Sequence, residues 1–287
     1  MVVKEYKNAR DYLNDHEENL LENEAVSQLV LYDAYKSMLA EQNDQSLFGV
    51  VLEEETPLLH FCNVAPHNLA VYAQGSGKDI LGPAAATLAD YMISNHIPFS
   101  GINARQEVCL SFIEQYQKGT NYSFVEKLGM DIMELRRVND TRPMDGKYRP
   151  ALPEELNLVT DWMINFEIEA LASEINYERT LNRAKYLIEK NKLYLYEDSE
   201  QRLVSMAAAS RQLTHGVLIN YVYTPAQFRG QGYAAANIYY MSKELLEQGN
   251  EFCTMFVDRK NPLSARAYEK VGFHILEDNY EYLLLQT

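Results

Sequence analysis

The sequence predicts a mixed α/β fold (an α+β mixed sheet) that occurs twice, each half having a mostly antiparallel central sheet flanked by helices. The first observation is a repeated order of elements: a helix, strands, a helix, a strand, a helix and a strand occur in both halves. The second is a lapse of apolar periodicity at Asn139–Arg149, where Pro143 and Gly146 indicate a linker. The 287 residues suffice for two domains of ordinary size. We therefore expect domains at 1–140 and 141–287.

The first half opens with a helical pattern at 16–42, in which apolar residues recur every three or four positions. Short apolar runs separated by turn residues then predict strands, and an Ala-rich stretch predicts a helix. A strand, a helix and a strand complete this half. The predicted ranges are 47–52, 58–65, 69–73, 82–94, 98–102, 104–118 and 122–138.

The second half repeats this order with two helices, strands, and a glycine-containing loop before the next helix. Its predicted helices are 154–171, 177–190, 231–248 and 262–271, and its predicted strands are 192–197, 201–209, 216–223, 251–257 and 279–285. The two halves are therefore interpreted as a degenerate tandem duplication.

Composition excludes several classes of protein. A net charge of -15 would repel nucleic acid, although it would attract a basic amine. No apolar run approaches the roughly 18 residues that span a bilayer, and the N-terminus lacks the apolar segment of a signal peptide. Cys62, Cys109 and Cys253 lie far apart and are expected to fill the core in a reducing compartment, and the histidines lack metal-ligand spacing. We expect a cytoplasmic monomer or homodimer without metal, membrane or nucleic-acid partner.

A glycine-containing loop follows the strand pattern that ends at Tyr223. Gly230 and Gly232 would let the backbone approach a ligand without interference from Cβ, and the next helix would begin with unpaired N–H groups. Loops of this kind bind anions, and Arg229 adds a positive charge. The sequence thus predicts an anion-binding strand, loop and helix over Val222–Ala236.

A polar-faced helix is predicted one strand later. Asn261 is a favourable N-cap, Pro262 suits the first helical position, and Gly272 is typical of the residue just past a helix. Spacings of three and four place Asn261, Ser264 and Tyr268 on one face.

The loop pattern Gln227-x-x-Gly230-x-Gly232 resembles the acyl-CoA pyrophosphate loop of the GNAT family of N-acetyltransferases, and the polar-faced helix resembles the family as well. The resemblance covers roughly Tyr148–Tyr282 and implies a sheet in which two neighbouring strands splay apart around acetyl-CoA. The residues for which it implies contact with acetyl-CoA are Val222, Tyr223, Thr224, Gln227, Arg229, Gly230, Gln231, Gly232, Tyr233, Ala234, Asn261, Ser264 and Tyr268.

The resemblance also implies direct acetyl transfer to a primary amine in a ternary complex, with a small amine or a peptide amine as acceptor. Tyr268 is the candidate general acid, because a phenol of pKa about 10 can protonate a thiolate whose thiol has a pKa near 8.5. Gly216–Thr224 lacks the carboxylate that many family members use as base. Glu167 and Glu169 are the candidates instead, and a solvated helix face explains either equally well.

Three other interpretations concern parts of this sequence. Gly230-x-Gly232-x-x-Ala235 also satisfies a dinucleotide fingerprint, but too few residues follow Asp258 to complete such a domain. The stretch from Gln74 to Asp79 fails the Walker A pattern and is interpreted as a solvated turn, so the first half is expected to lack a CoA loop. A non-catalytic acyl-CoA sensor would keep the loop but need no general acid.

The first half is expected to dock or shape the acceptor.

Overall fold

The chain, described here from a computed structural model, divides into two compact units. The first comprises Met1–Asp131 with Glu277–Thr287, and the second comprises Ile132–Leu276. The first unit thus includes a C-terminal stretch from beyond the predicted linker, and the division of the sequence at residues 140 and 141 stays a prediction. The structure describes residues 1–40, 46–140, 144–171 and 175–286.

The first unit begins with a short strand and two helices, and then alternates strands with helices. Its elements are β1 (Val2–Tyr6), α1 (Ala9–Leu21), α2 (Glu24–Leu39), β2 (Leu47–Glu53), β3 (Thr56–Asn63), β4 (Leu69–Ala73), α3 (Lys78–Ser94), β5 (Gly101–Ala104), α4 (Gln106–Gly119) and most of β6 (Tyr122–Leu135), with the greater part of β12 (His274–Gln286).

The sheet of the first unit has the strand order β1-β2-β3-β4-β5-β12-β6. Neighbours from β1 to β4 are antiparallel, whereas β4 and β5 are parallel. Because side chains alternate along a strand, Leu69 and Val71 of β4 pack with α3 and α4, whereas Ala70 and Tyr72 pack with α1 and α2. Helices therefore cover both faces of this sheet.

The second unit has the same alternation of helices and strands. Its elements are β7 (Lys147–Pro150), α5 (Leu156–Leu171), α6 (Tyr177–Glu189), β8 (Leu193–Glu197), β9 (Leu203–Gln212), β10 (Gly216–Tyr223), α7 (Tyr233–Glu247), β11 (Phe252–Asp258) and α8 (Pro262–Val271), with the end of β6 and the start of β12.

The sheet of the second unit has the order β6-β11-β10-β9-β8-β7. Its core again lies on two faces. Leu193 and Leu195 pack with Trp162 and Met163 of α5, and Tyr194 lies on the other face with residues of α7. The order places β10 and β11 side by side in the middle of the sheet, between the helices that carry the candidate site.

The predicted fold class is confirmed, because each unit has a mixed sheet flanked by helices. The sequence prediction missed β1, and helix α3 begins at Lys78, with Pro83 inside it, instead of at residue 82. Cys62, Cys109 and Cys253 are free thiols in the cores, as expected.

Among the described residues, no helix is both long and apolar enough to cross a membrane.

Candidate functional site

Strand β10 is irregular in its second half. Its register with β9 shifts between Leu218 and Ile219 and again between Asn220 and Tyr223. Tyr221 lies within the second shift. Its φ of 52° is in the left-handed region, and its N–H donates to Asn220 Oδ1 at 2.7 Å. A bulge of this kind bends a strand and changes the direction of a side chain. It directs Tyr221 towards α5, where its ring lies 5.4 Å from that of Phe166.

Strands β10 and β11 separate beyond their first residues. In the described part of the chain they pair in parallel only from Gly216 to Leu218, opposite Phe252 to Thr254. Strand β10 nevertheless continues to Tyr223, and β11 continues to Asp258. The ends of these strands therefore have backbone groups that are not committed to each other, as a splayed pair requires.

The glycine loop lies directly after the splayed end of β10. Gly230 and Gly232 have φ values of 75° and 90°, and Gly232 is the N-cap of α7. The backbone N–H groups from Gly230 to Ala235 have no hydrogen-bond acceptor among the described residues. A Cβ built on Gly230 would meet no atom within 4 Å. The loop therefore presents open, unpaired donors at a helix N-terminus, which is the geometry of an anion site.

Arg229 is held beside this loop by α5. Its Nη2 donates to Glu169 Oε2 at 2.6 Å, and its Nε donates to the Thr224 carbonyl oxygen at 2.8 Å. Both side chains are nearly half exposed, at 46% and 47%. The structure thus places Glu169, one of the two base candidates, against the cation of the anion loop.

Glu167 occupies a different environment. Its carboxylate is buried, accepts a hydrogen bond from Thr180 Oγ1 at 3.0 Å, and lies 3.7 Å from Arg179 Nη2. It lines a pocket of about 280 Å³ between α5, α6 and the bulge of β10. The pocket is lined by Glu167, Leu171, Arg179, Thr180, Arg183 and Tyr221.

The electrostatics of this pocket act on Tyr221. Burial raises the pKa of its phenol, and the nearby Glu167 carboxylate raises it further, while Arg183 and Arg179 act in the opposite direction. The phenol therefore remains protonated at neutral pH and can donate a hydrogen bond into the pocket.

Helix α8 forms as the sequence predicts, but Tyr268 is buried instead of lying on an open polar face. The Asn261 side chain accepts from the Ser264 N–H at 3.3 Å, and the helix ends at Gly272 with a φ of 126°. Tyr268 is 6% exposed. Burial raises its pKa to about 12, against a smaller lowering by hydrogen bonding to Ser264, so the ordinary value of about 10 does not hold in the fold.

The other residues predicted to contact acetyl-CoA lie at the end of β10, in the glycine loop and at the start of α7. Val222, Thr224 and Ala234 are partly buried, Gln227 and Gln231 are exposed, and Tyr233 is buried with Tyr196 and Phe228. A Cβ at Gly232 would lie 3.1 Å from the Met144 sulfur.

The sequence interpretation overlooked four polar residues of the pocket. They are Arg179, Thr180, Arg183 and Tyr221. The spacing of Arg179 and Arg183, four residues apart on one helix face, was a usable signal. No sequence signal indicated the bulge at Tyr221, because the aromatic and β-branched residues of β10 are typical of a regular strand.

The first unit has a pocket of about 320 Å³ at the end of β5. Arg105 lies in it, bonded to Glu277, to Glu107 at 3.2 Å and to the Gly75 carbonyl oxygen at 2.9 Å. Asp278 accepts from the Gln106 N–H at the start of α4. This pocket is therefore acidic and its arginine is already paired.

The comparisons with known proteins agree with this geometry. Residues 157–273 match the sequence model of the acetyltransferase (GNAT) family. No curated protein sequence matches the chain.

Solved structures share the fold along the whole chain. An acetyltransferase of the GNAT family from Colwellia psychrerythraea is 12% identical, with a TM-score of 0.57 and 100% of both chains covered. A Drosophila protein is also 12% identical, with a TM-score of 0.60 over 99% of this chain and 98% of its own. A GCN5-related N-acetyltransferase from Sphaerobacter thermophilus is 15% identical, with a TM-score of 0.54 over 88% and 85%. At this identity the likeness shows the fold, and it includes the first unit.

Proposed function

We propose that this protein is an acetyltransferase of the GNAT type that transfers an acetyl group from acetyl-CoA to a primary amine, since residues 157–273 match the sequence model of that family. The transfer is direct, within a ternary complex of protein, acetyl-CoA and acceptor. The observation that carries the proposal is the glycine loop with unpaired N–H groups at the splayed end of β10. Acetyl-CoA carries a pyrophosphate that matches such a loop, and the gap between two strands suits its extended arm.

The loop binds the pyrophosphate of acetyl-CoA, and the strand binds its thioester end. The pyrophosphate accepts hydrogen bonds from the N–H groups of Gly230 to Ala235, and Arg229 supplies a positive charge once it leaves Glu169. The backbone N–H of Val222 or Tyr223 polarises the thioester carbonyl and stabilises the oxyanion of the tetrahedral intermediate. Asn261 and Ser264 at the start of α8 contact the pantetheine arm.

The chemistry needs one base and one acid. Glu167 takes a proton from the acceptor ammonium, directly or through water, and the free amine attacks the thioester carbonyl. A nitrogen–carbon bond forms, the carbon–sulfur bond breaks, and its electron pair leaves with sulfur. Tyr268 then protonates the thiolate. The phenol is protonated at neutral pH, as a general acid must be, although burial raises its pKa to about 12 and so makes it a weaker acid than an exposed phenol.

The first test measures release of the CoA thiol with a panel of amine acceptors, alongside acetyl-CoA binding by calorimetry. We expect binding together with acceptor-dependent thiol release. Binding without transfer to any acceptor would instead favour a non-catalytic acyl-CoA sensor.

Tyr268→Phe tests the acid separately. We expect kcat to fall about a hundredfold, within the usual range for general acids, with little change in acetyl-CoA affinity. Tyr122→Phe, at an exposed tyrosine of the first unit, is the matched control. Unchanged turnover by Tyr268→Phe would remove Tyr268 from the mechanism.

We also propose that the first unit docks or shapes the acceptor, and that the protein acts in the cytoplasm as a monomer or homodimer. The paired arginine and acidic pocket of the first unit support a role other than CoA binding. The three buried free thiols of the protein suit a reducing compartment.

A further inference from the structure

The pocket beside the bulge of β10 combines both signs of charge. Arg179 and Arg183 contribute two positive charges, and Glu167 contributes one negative charge, in a protein whose net charge is -15. Among the described residues Arg183 has no carboxylate partner. Its Nη2 donates instead to the Ser210 carbonyl oxygen at 2.7 Å. The pocket therefore holds a guanidinium that is positioned but not neutralised.

The position of Arg183 is set by strand β9. Its bond to Ser210 anchors it to β9, and it lines the same pocket as Tyr221, where its charge lowers the pKa of that phenol. A positioned guanidinium binds a carboxylate through two parallel hydrogen bonds, with little loss of side-chain freedom. Tyr221 adds a neutral hydroxyl donor at the same wall of the pocket.

Glu167 provides the complementary charge for an amine. Its carboxylate is held by Thr180, and its distance of 3.7 Å from Arg179 leaves that ion pair loose. An ammonium group can therefore lie against Glu167 while a carboxylate of the same molecule lies against Arg183. The volume of about 280 Å³ suits a molecule of amino-acid size, because pockets for drug-sized ligands occupy roughly 300–1,000 Å³.

The pocket also lies next to the proposed reaction centre. Tyr221, which lines it, precedes Tyr223 by two residues on the strand proposed to hold the thioester. Because the bulge turns Tyr221 towards α5, one stretch of β10 serves the pocket with a side chain and acetyl-CoA with its backbone.

We propose, on the basis of the acetyl transfer proposed above, that the acceptor is a small amino-carboxylic acid whose carboxylate binds Arg183 and whose amine faces Glu167. Arg179 contributes a weaker, more exposed charge at the pocket entrance. The acidic surface of the whole protein suits a basic amine, whereas this pocket selects for a negative group on the acceptor.

The test uses the full chain with saturating acetyl-CoA and measures CoA-thiol release. The acceptors are the twenty protein amino acids, each compared with its primary amide and with the amine that lacks the carboxylate. We expect kcat/KM for the preferred acid to exceed that of its amide and its amine by about tenfold to a hundredfold, since the unmatched guanidinium would stay unpaired with either.

Arg183→Gln should lower kcat/KM for the acid by a similar factor and change that for the amide by less than about twofold. Lys185→Gln removes the same charge from an exposed position of the same helix and should change neither. Arg179→Gln, whose side chain is 63% exposed, should have a smaller effect than Arg183→Gln.

Equal turnover of acid and amide by the wild type would overturn the carboxylate pocket while leaving the acetyltransferase intact. So would an equal loss for both acceptors in Arg183→Gln, which would indicate a structural role. Binding of acetyl-CoA without transfer to any member of the panel would overturn the proposed function, and the acceptor assignment with it.

Discussion

The two units contain similar glycine loops in different electrostatic surroundings. In the second unit Gly230 and Gly232 follow β10, and in the first unit Gly75 and Gly77 follow β4. Both pairs have positive φ, with 80° and 125° at Gly75 and Gly77, and each precedes a helix. In the described residues, the strand before each loop pairs in parallel with its neighbour over two or three residues only.

The arginines near the two loops differ. Arg105 is 15% exposed and is bonded to two carboxylates and to the carbonyl oxygen of Gly75. Arg229 is 46% exposed and has Glu169 as its partner. The acidic groups around Arg105 give the first pocket a net negative charge, which would repel a pyrophosphate.

From this comparison we propose that loop geometry alone does not make an anion site. The turn at Gln74–Asp79 is exposed from Gly75 onwards, as the sequence suggested, yet it occupies the place of the CoA loop in its unit. The two loops differ in how firmly the nearby arginine is held, since Arg105 is bonded to two carboxylates and Arg229 to one. In the first unit it stabilises the fold, and in the second we propose that it binds acetyl-CoA.

Paired glycine substitutions should give the largest difference between the loops. We expect Gly230→Val to raise the Kd for acetyl-CoA about a hundredfold, because valine is strained at positive φ and its side chain blocks the approach to the N–H groups. Gly75→Val introduces the same strain in the first unit and should change Kd less than about twofold. Calorimetric titration measures both, and similar losses in the two variants would contradict the comparison.

The two arginines should show opposite effects on stability and binding. We expect Arg105→Met to lower the free energy of unfolding by about 3 kcal/mol, since it leaves the partly buried Glu277 without its partner, and to leave Kd unchanged. Arg229→Met should lower stability by less than about 1 kcal/mol and raise Kd about tenfold. Denaturant unfolding and calorimetry would decide, and a large stability loss in Arg229→Met would be the contrary result.

Acid should weaken the first unit before the second. His60 is buried there and its pKa is lowered to about 3, chiefly by burial, whereas His215 and His274 of the second unit are exposed. The unfolded chain binds a proton at His60 near pH 6.5 and the folded chain does not. Stability should therefore be full above pH 6.5 and fall towards pH 3, by up to about 1.4 kcal/mol per pH unit.

The lone tryptophan allows the units to be followed separately. Trp162 belongs to the second unit, so its fluorescence reports that unit, while far-ultraviolet circular dichroism reports both. We expect the dichroism transition to move with pH more than the fluorescence transition, and His60→Phe to reduce that movement. Equal pH dependence of the two signals, with or without His60, would argue against this difference.

The smallest effect concerns the pair that holds Arg229. We expect Glu169→Gln to tighten acetyl-CoA binding two- to fivefold, because it frees the guanidinium from an exposed ion pair of modest strength. Calorimetry at low salt measures the change. Weaker binding in Glu169→Gln would show that Glu169 orients Arg229 for the ligand instead of competing with it.

Local signals in the sequence predicted much of this molecule. The apolar periodicities predicted the alternation of strands and helices, and Asn261 and Gly272 predicted the ends of α8 because capping depends on a few adjacent residues. The positive φ values at Gly230 and Gly232 follow similarly from glycine spacing.

Features that depend on distant residues could not be predicted in this way. Glu169 and Arg229 meet across 60 positions of the chain, and the pKa of Tyr268 depends on burial that the sequence does not state. The bulge at Tyr221 lies in a run with ordinary strand composition. Pairing, burial and bulge arise from tertiary packing, which local pattern does not determine.

The stoichiometry of acetyl-CoA binding tests the central claim most directly. Calorimetric titration of the full chain with acetyl-CoA should give one site per chain, since the arginine of the second unit can turn to the ligand and that of the first is committed to carboxylates. Two sites per chain, or one site that Gly75→Val abolishes and Gly230→Val leaves intact, would contradict the claim.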